Sequence, residues 1–172
     1  MAILDICRFP DTVLKQRARS VTEFNAELQQ LIDDMFETMY AAPGLGLAAP
    51  QVGVSLRLFV YDCQDGEDAP RQRGVLINPE FVARTGSQID EEGCLSVDDY
   101  RTKVARADHA VVRGLDRNAQ PVTVEGRGLM ARLLQHEIDH LDGFLFIDRI
   151  SALKREFFRK RLKKRLRASH AG

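Results

Sequence analysis

The sequence predicts one domain of mixed helices and strands, organised around a buried helix that carries two histidines one turn apart. Three observations predict it. A length of 172 residues suits a single domain with one hydrophobic core. Apolar residues recur at helical spacing in separate segments, and runs of strand character bounded by Gly, Pro, Asn and Asp lie between them. The segment Gln135-His136-Glu137-Ile138-Asp139-His140 places both histidines on one face of a helix.

Composition narrows the class. The balance of apolar and charged residues is that of an ordinary globular protein. Three cysteines and no Trp argue against a disulfide framework and for a reducing compartment. Ala2-Ile3-Leu4-Asp5-Ile6-Cys7 is too short an apolar run for a signal peptide, and Asp5 interrupts it. No apolar stretch approaches the ~20 residues that span a bilayer. The expectation is a cytoplasmic protein. The net charge of zero hides an asymmetry. From Arg149 onward about ten Lys or Arg stand against the single acid Glu156, so the rest is acidic by about nine charges. Such a basic end suits a polyanionic partner.

Along the chain, Arg8-Phe9-Pro10-Asp11 is a turn. A helix is expected from the N-cap Asn25, with Leu28, Leu31, Ile32, Met35, Phe36 and Met39 as core residues, until Ala42-Pro43-Gly44 breaks it. Gly44-Leu45-Gly46-Leu47-Ala48-Ala49-Pro50-Gln51-Val52-Gly53 crowds small residues, which permits close backbone approach. No strand precedes it, so it is not a dinucleotide fingerprint, and its plain reading is a helix-to-strand connection. Leu56–Tyr61 reads as a strand, and Val75-Leu76-Ile77 as a short one ended by Asn78-Pro79. An extended segment follows Cys94. Thr102–Val124 has strand character, with a hairpin turn at Asp116-Arg117-Asn118. His109 within it has no ligand partner at useful spacing and is expected to pack on its strand.

Leu129, Leu133, Leu134, Ile138 and Leu141 give the histidine helix an apolar face, and Gly143 stops it. His136 and His140 can reach one metal ion, with Glu137 placed as general base toward an activated water. A solvated helix that happens to carry two histidines is the plain alternative. Cys94 alone reads as a small buried hydrophobe. It becomes a third ligand if the histidines need one, since a thiolate and two imidazoles suit a tetrahedral site with one open position. Cys7 and Cys63 have no comparable setting.

Three stretches stand in order: Gly44–Gln51, Glu92-Gly93-Cys94-Leu95-Ser96, and Gln135–His140. Together they resemble the three signature motifs of the peptide deformylases. The likeness extends to Arg8-Phe9-Pro10-Asp11 and to Leu141-Asp142-Gly143. It implies an α+β fold, with antiparallel sheets packed around the central HExxH helix and a helix at the C-terminus. It implies residues 1–150 as the catalytic unit, with 151–172 as a basic helical extension of the same domain. It implies removal of the N-terminal formyl group from formyl-methionyl peptides. By motif position Cys94, His136 and His140 hold one divalent metal. Glu137 is the general base and acid, and the Gln51 side chain and Leu95 backbone N–H hold the oxyanion. Leu45, Gly46 and Gly93 take the peptide as an added strand. Leu45, Leu129, Leu133 and His136 line the methionine pocket. The metal expected by resemblance is Fe(II), with Ni(II), Co(II) or Zn(II) as substitutes. The likeness also implies a monomer.

The sequence departs from many relatives after Ser96-Val97, where Asp98-Asp99-Tyr100 stands in place of a proline. This strand end, Asp98-Asp99-Tyr100, is expected to border the peptide groove. Arg101 is expected either to touch substrate or to face solvent, and Arg106 to pair with Asp139. Ser151 is expected to cap a final helix with an apolar stripe of Leu153, Phe157, Phe158, Leu162 and Leu166. That basic tail reads either as a docked, solvated helix or, by the resemblance, as a ribosome-binding element near the exit tunnel, with a membrane surface as the lesser alternative. Two other readings compete with the deformylase one. They are a zinc endopeptidase, since HExxH occurs there too, and a non-catalytic RNA-binding protein.

Overall fold

The computed structural model describes residues 2–171, without the side chains of Asp99 and residues 169–171. Helix α1 spans Ala26–Ala41. Asn25 caps it: its Oδ1 accepts the Leu28 N–H at 3.0 Å, satisfying one of the donors that every helix start leaves unpaired. Leu28, Ile32, Met35 and Met39 form the buried face, with Leu31 and Phe36 partly buried beside them.

Five strands make one antiparallel sheet. They are β1 (Gly46–Ala48), β2 (Leu58–Cys63), β3 (Gln72–Thr85), β6 (His109–Leu115) and β7 (Pro121–Arg127), in the order β1-β2-β3-β6-β7. Two more, β4 (Gln88–Cys94) and β5 (Val97–Arg106), form a separate hairpin sheet. Helix α2 (Leu129–Asp142) packs across β7, β6, β2 and β1. Strand β2 is covered on both faces. Phe59 and Tyr61 join Leu134, Ile138 and Leu141 of α2, while Leu58 and Val60 join the α1 side. That double burial explains an uninterrupted Leu58-Phe59-Val60-Tyr61 run where a one-faced strand would alternate.

Several boundaries differ from the sequence expectation. The Gly-rich stretch is more than a connection, because it contains β1 and a 3-10 turn at Ala49–Val52. The short strand at Val75–Ile77 continues through Asn78-Pro79 to Thr85. Pro79 is tolerated because the register with β6 shifts between Ile77 and Glu80; a proline, lacking an N–H, fits a strand at such an irregularity. Asn78 takes a positive φ of 52° there and bonds both the N–H and the carbonyl of Val21. The Thr102–Val124 run breaks after Arg106 and resumes at His109. The turn at Asp116 forms as expected, its carboxylate accepting the N–H groups of Asn118 and Gln120.

Helix α3 spans Ala152–Ala171, and the Ser151 hydroxyl accepts the Lys154 N–H at 3.2 Å. Its apolar stripe divides. Phe158 is buried, with ring centroids 5.5 Å from Phe9 and 4.9 Å from Tyr100. Leu162 packs beside it. Leu153 and Phe157 are 69% and 63% exposed. At about 100° of rotation per residue, 158 and 162 share one face while 153 and 157 turn well away from it. Among the described residues no helix is long and apolar enough to cross a membrane.

Gly143 ends α2 with φ +86°, and a Cβ there would meet the Lys15 carbonyl oxygen at 2.7 Å. Gly143→Ala is therefore expected to cost about 2–3 kcal/mol, from left-handed strain plus a backbone clash. The measurement is the urea midpoint at unchanged m-value.

Candidate active site

The site is built where α2 passes the end of β4. His136 and His140 stand one helical turn apart, with their Nε2 atoms 3.3 Å from each other. Cys94 is the last residue of β4, and its Sγ lies 3.4 Å from His140 Nε2. The three donor atoms all fall within 4.8 Å of one another. A tetrahedral ion about 2.1 Å from nitrogen and about 2.3 Å from sulfur sets donor separations of about 3.4–3.6 Å. The two close separations fit such an ion, and the donor types suit a borderline divalent metal. Burial, reinforced by the neighbouring His136, pushes the His140 imidazole well below its usual range, which favours the neutral form that a metal requires.

A buried ion network orients the first histidine. His136 Nδ1 lies 2.7 Å from Glu92 Oε1, which leaves Nε2 to face the other donors. Arg106 grips both oxygens of Glu92 at 2.9 Å. Arg132 donates to Glu92 as well and, at 2.9 Å, to the carbonyl of Val104. Burial by itself would raise the Glu92 carboxyl, but the bonds from Arg106 and His136 hold it well below the usual carboxylate range. The expected Arg106–Asp139 pair is present at 2.6 Å, and Arg149 meets the same carboxylate at 2.9 Å. Glu92, Arg132 and Arg149 were not singled out from sequence. Only Glu92 left a signal, as an acid inside the second motif.

Glu137 is buried beside the histidines, and its Oε2 has no hydrogen-bond partner among the described residues. Burial, opposed by His136, pushes its carboxyl up to about 7, a value suited to moving protons near neutrality. Gly46 lies against it: a Cβ there would meet Glu137 Oε1 at 2.8 Å. This close approach is what the Gly-rich motif supplies. Gln51 is 1% exposed. Its Oε1 accepts the Ala48 N–H at 3.0 Å. Its Nε2 donates to Ser96 Oγ at 3.2 Å and lies 3.5 Å from Cys94 Sγ. The N-terminal segment staples the first two motifs together: the Cys7 N–H donates to the Gln51 carbonyl and the Phe9 N–H to that of Ser96, each at 2.7 Å.

A cleft of about 500 Å³ opens over these groups. Leu45, Gly46, Gly93, Leu129 and Leu133 all line it, together with Gln51, Leu95, His136 and Glu137. Strand β1 is the edge of the large sheet and β4 belongs to the small one, so strands from both sheets border the cleft. Arg101 lines it too, with its side chain largely exposed and its guanidinium 4.0 Å from Glu91. Of the strand end expected to border the groove, Tyr100 lines the cleft, while the expectation for Asp98 is corrected. Its carboxylate lies 3.3 Å from Arg8 and 3.8 Å from Arg165, on the α3 side of the turn rather than in the cleft, because those two cations draw it there. The Asp99 side chain lies outside the described residues. His109 packs on its strand beside Glu125 and Thr85, and Cys63 is part of the main core.

A family model described as polypeptide deformylase matches residues 3–156. The chain belongs to that family. A peptide deformylase of Thermodesulfovibrio yellowstonii is 53% identical over 167 residues, covering 95% of this chain and 98% of its own. The crystal structure of a peptide deformylase from Legionella pneumophila superposes with a TM-score of 0.89 at 46% identity, over 99% of both chains. A Met-Ala-Ser-bound peptide deformylase from Acinetobacter baumannii superposes with a TM-score of 0.82 at 36% identity, over 87% of this chain and 99% of its own. The α+β fold of helices and antiparallel sheets is the fold of these structures. The chain is an enzyme of a metal-dependent family whose reaction removes the formyl group from N-terminal formyl-methionine.

Glu92→Gln removes the charge that two guanidinium groups and His136 share. It is expected to cost about 3 kcal/mol of stability and to weaken metal binding about 10- to 100-fold. Competition with a chelating dye measures the affinity, and urea unfolding the stability.

Proposed function

We propose that Cys94, His136 and His140 hold one divalent ion, Fe(II) in the cell, at the floor of a formyl-peptide cleft. Ni(II), Co(II) or Zn(II) can occupy the same donor set. The observation that carries this reading is the convergence of the three donor atoms beside the buried Glu137 carboxylate, whose Oε2 has no partner among the described residues, with Cys94, His136 and Glu137 lining one cleft. When bound, the ion supplies Lewis acidity for attack on the carbonyl.

The chain's own groups do the rest. The substrate backbone adds as a strand between Leu45-Gly46 and Gly93, so main-chain groups bind it and later residues can vary. That reading draws support from the relative whose structure holds Met-Ala-Ser. The methionine side chain enters the pocket of Leu45, Leu129, Leu133 and His136. Glu137 takes a proton from the attacking water as its oxygen bonds to the formyl carbon. Gln51 Nε2–H and the Leu95 N–H donate to the oxyanion of the tetrahedral state. Glu137 then gives the proton to the amine nitrogen, the C–N bond breaks, and formate leaves. Close walls around Glu137 accept a formyl hydrogen and exclude a longer acyl chain, which spares ordinary peptide bonds.

Residues 1–150 are the catalytic unit, and 151–172 extend it, with α3 packed through Phe158. The enzyme acts as a cytoplasmic monomer that docks on the ribosome through α3. The support for docking is an outward face where exposed Leu153 and Phe157 are flanked by Lys154, Lys160, Arg161 and Lys164, a basic surface suited to ribosomal RNA.

Formate release from formyl-Met-Ala-Ser, measured without oxygen in the Fe(II), Ni(II) and Zn(II) forms, tests the reaction. Glu137→Ala is expected to lower kcat about a thousandfold, and Gln51→Ala about a hundredfold. Release that persists in Glu137→Ala would reject its role as base. For the tail, Lys160→Glu with Lys164→Glu is expected to weaken ribosome co-sedimentation at least about tenfold and to flatten its salt dependence. Unchanged binding would remove α3 from the interface.

A further inference from the structure

The turn that carries Leu95 is held from its far side by groups the reaction does not touch. Arg8 Nη1 donates to the Leu95 carbonyl and lies 3.3 Å from Asp98 Oδ1. Arg165 of α3 donates through Nη1 to the backbone carbonyl of Asp98 at 2.9 Å, and its Nη2 lies 3.8 Å from the Asp98 carboxylate. On the opposite edge of the same peptide, the Ser96 N–H donates to Cys94 Sγ at 3.4 Å.

In a planar trans peptide the C=O and the next N–H point in opposite directions. A guanidinium that draws the Leu95 carbonyl outward therefore aims the Ser96 N–H inward at the sulfur. The cation also polarises the amide, which strengthens the bond that its N–H makes. We propose that Arg8 is a positioning residue for the Leu95–Ser96 peptide, and that Asp98 and Arg165 couple it to α3. A continuous set of contacts then runs from the tail helix through Arg165, Asp98, Arg8 and one peptide group to Cys94 Sγ.

The relay acts on orientation more than on stability. The side chains of Arg8, Asp98 and Arg165 are 52%, 42% and 46% exposed, and ion pairs of that kind add little to folding. The backbone beneath them is fixed independently by the bonds from Cys7 to Gln51 and from Phe9 to Ser96. Substitutions at Arg8 thus leave the fold in place and release one peptide plane. The departure at Asp98 gains a role by the same reasoning: a proline there would offer Arg8 and Arg165 no carboxylate.

The inference rests on the proposed ligand role of Cys94, and the test separates the two. The full-length protein is loaded with Co(II). The sulfur-to-cobalt charge-transfer band is recorded, and the rate of transfer of the ion to a chelator is measured. Arg8→Ala is expected to move the band to lower energy, because the sulfur loses a donor, and to release the ion about tenfold faster. Arg8→Lys is expected to recover part of both changes. Arg165→Ala is expected to shift both in the same direction but less, and its effect is expected to vanish in the double variant with Arg8→Ala, as for residues acting in series. A parent protein with no such band would overturn the ligand role of Cys94 and the relay with it. A parent band with position and release rate unchanged in Arg8→Ala would overturn the relay alone. An Arg165→Ala effect that persists in the double variant would overturn the coupling of α3 through Arg8.

Discussion

Glu92 lies out of water between Arg106, Arg132 and His136. Desolvating a carboxylate costs several kcal/mol, and only well-aligned partners offset that. The partners come from two separate elements. Arg106 closes β5, while Arg132 and His136 belong to α2. Among the described residues the β4-β5 hairpin pairs with no strand of the larger sheet, so this ion cluster, with the apolar contacts of Val97 and Val104 against Phe146 and Ile147, fastens it to the body of the protein. The same carboxylate holds the His136 ring in one orientation. Attachment of the hairpin and orientation of the His136 ring are consequences of one buried charge.

The cleft follows from that attachment. Fixing the small sheet beside α2 leaves β1 and β4 bordering a common gap, lined by Glu137, Cys94 and His136. A strand edge has unpaired backbone groups ready to take an extended peptide. Gly46 lets the β1 backbone approach the Glu137 carboxylate to a distance that a Cβ would forbid. Water is thereby kept from one side of that carboxylate, and burial raises its proton affinity toward neutrality. The small residues of the first motif and the acid of the third are thus one feature seen from two places in the chain.

The N-terminus and the tail helix brace the site from outside. The segment 7–9 bonds to both Gln51 and Ser96, and Phe9 shares an aromatic cluster with Tyr100 and Phe158 of α3. Arg8 and Arg165, far apart in the chain, both donate to carbonyls of the Leu95–Asp98 turn.

Sequence by itself determined the chemistry that depends on local spacing. His136 and His140 had to share a helix face because four residues make one turn. Asn25, Gly143 and Asp116 announced their caps and turn through side-chain and backbone preferences that neighbours barely alter. The three motifs in order were enough to name the ligand candidates and the family. Tertiary structure alone decided what depends on pieces far apart in the chain. Glu92 was visible inside a motif, but its partner Arg132 looked like an ordinary helix arginine. Asp98 was placed at the cleft because its strand leads there, yet Arg8 and Arg165, from the two chain ends, draw it to the other side. Pro79 looked like a strand end because a proline removes a ladder N–H, and only the bulge opposite β6 made it harmless. The tail stripe divided because periodicity cannot tell which apolar residues meet Phe9 and Tyr100 and which stay in solvent. In each case the deciding partner lay tens of residues away, where no local pattern records it.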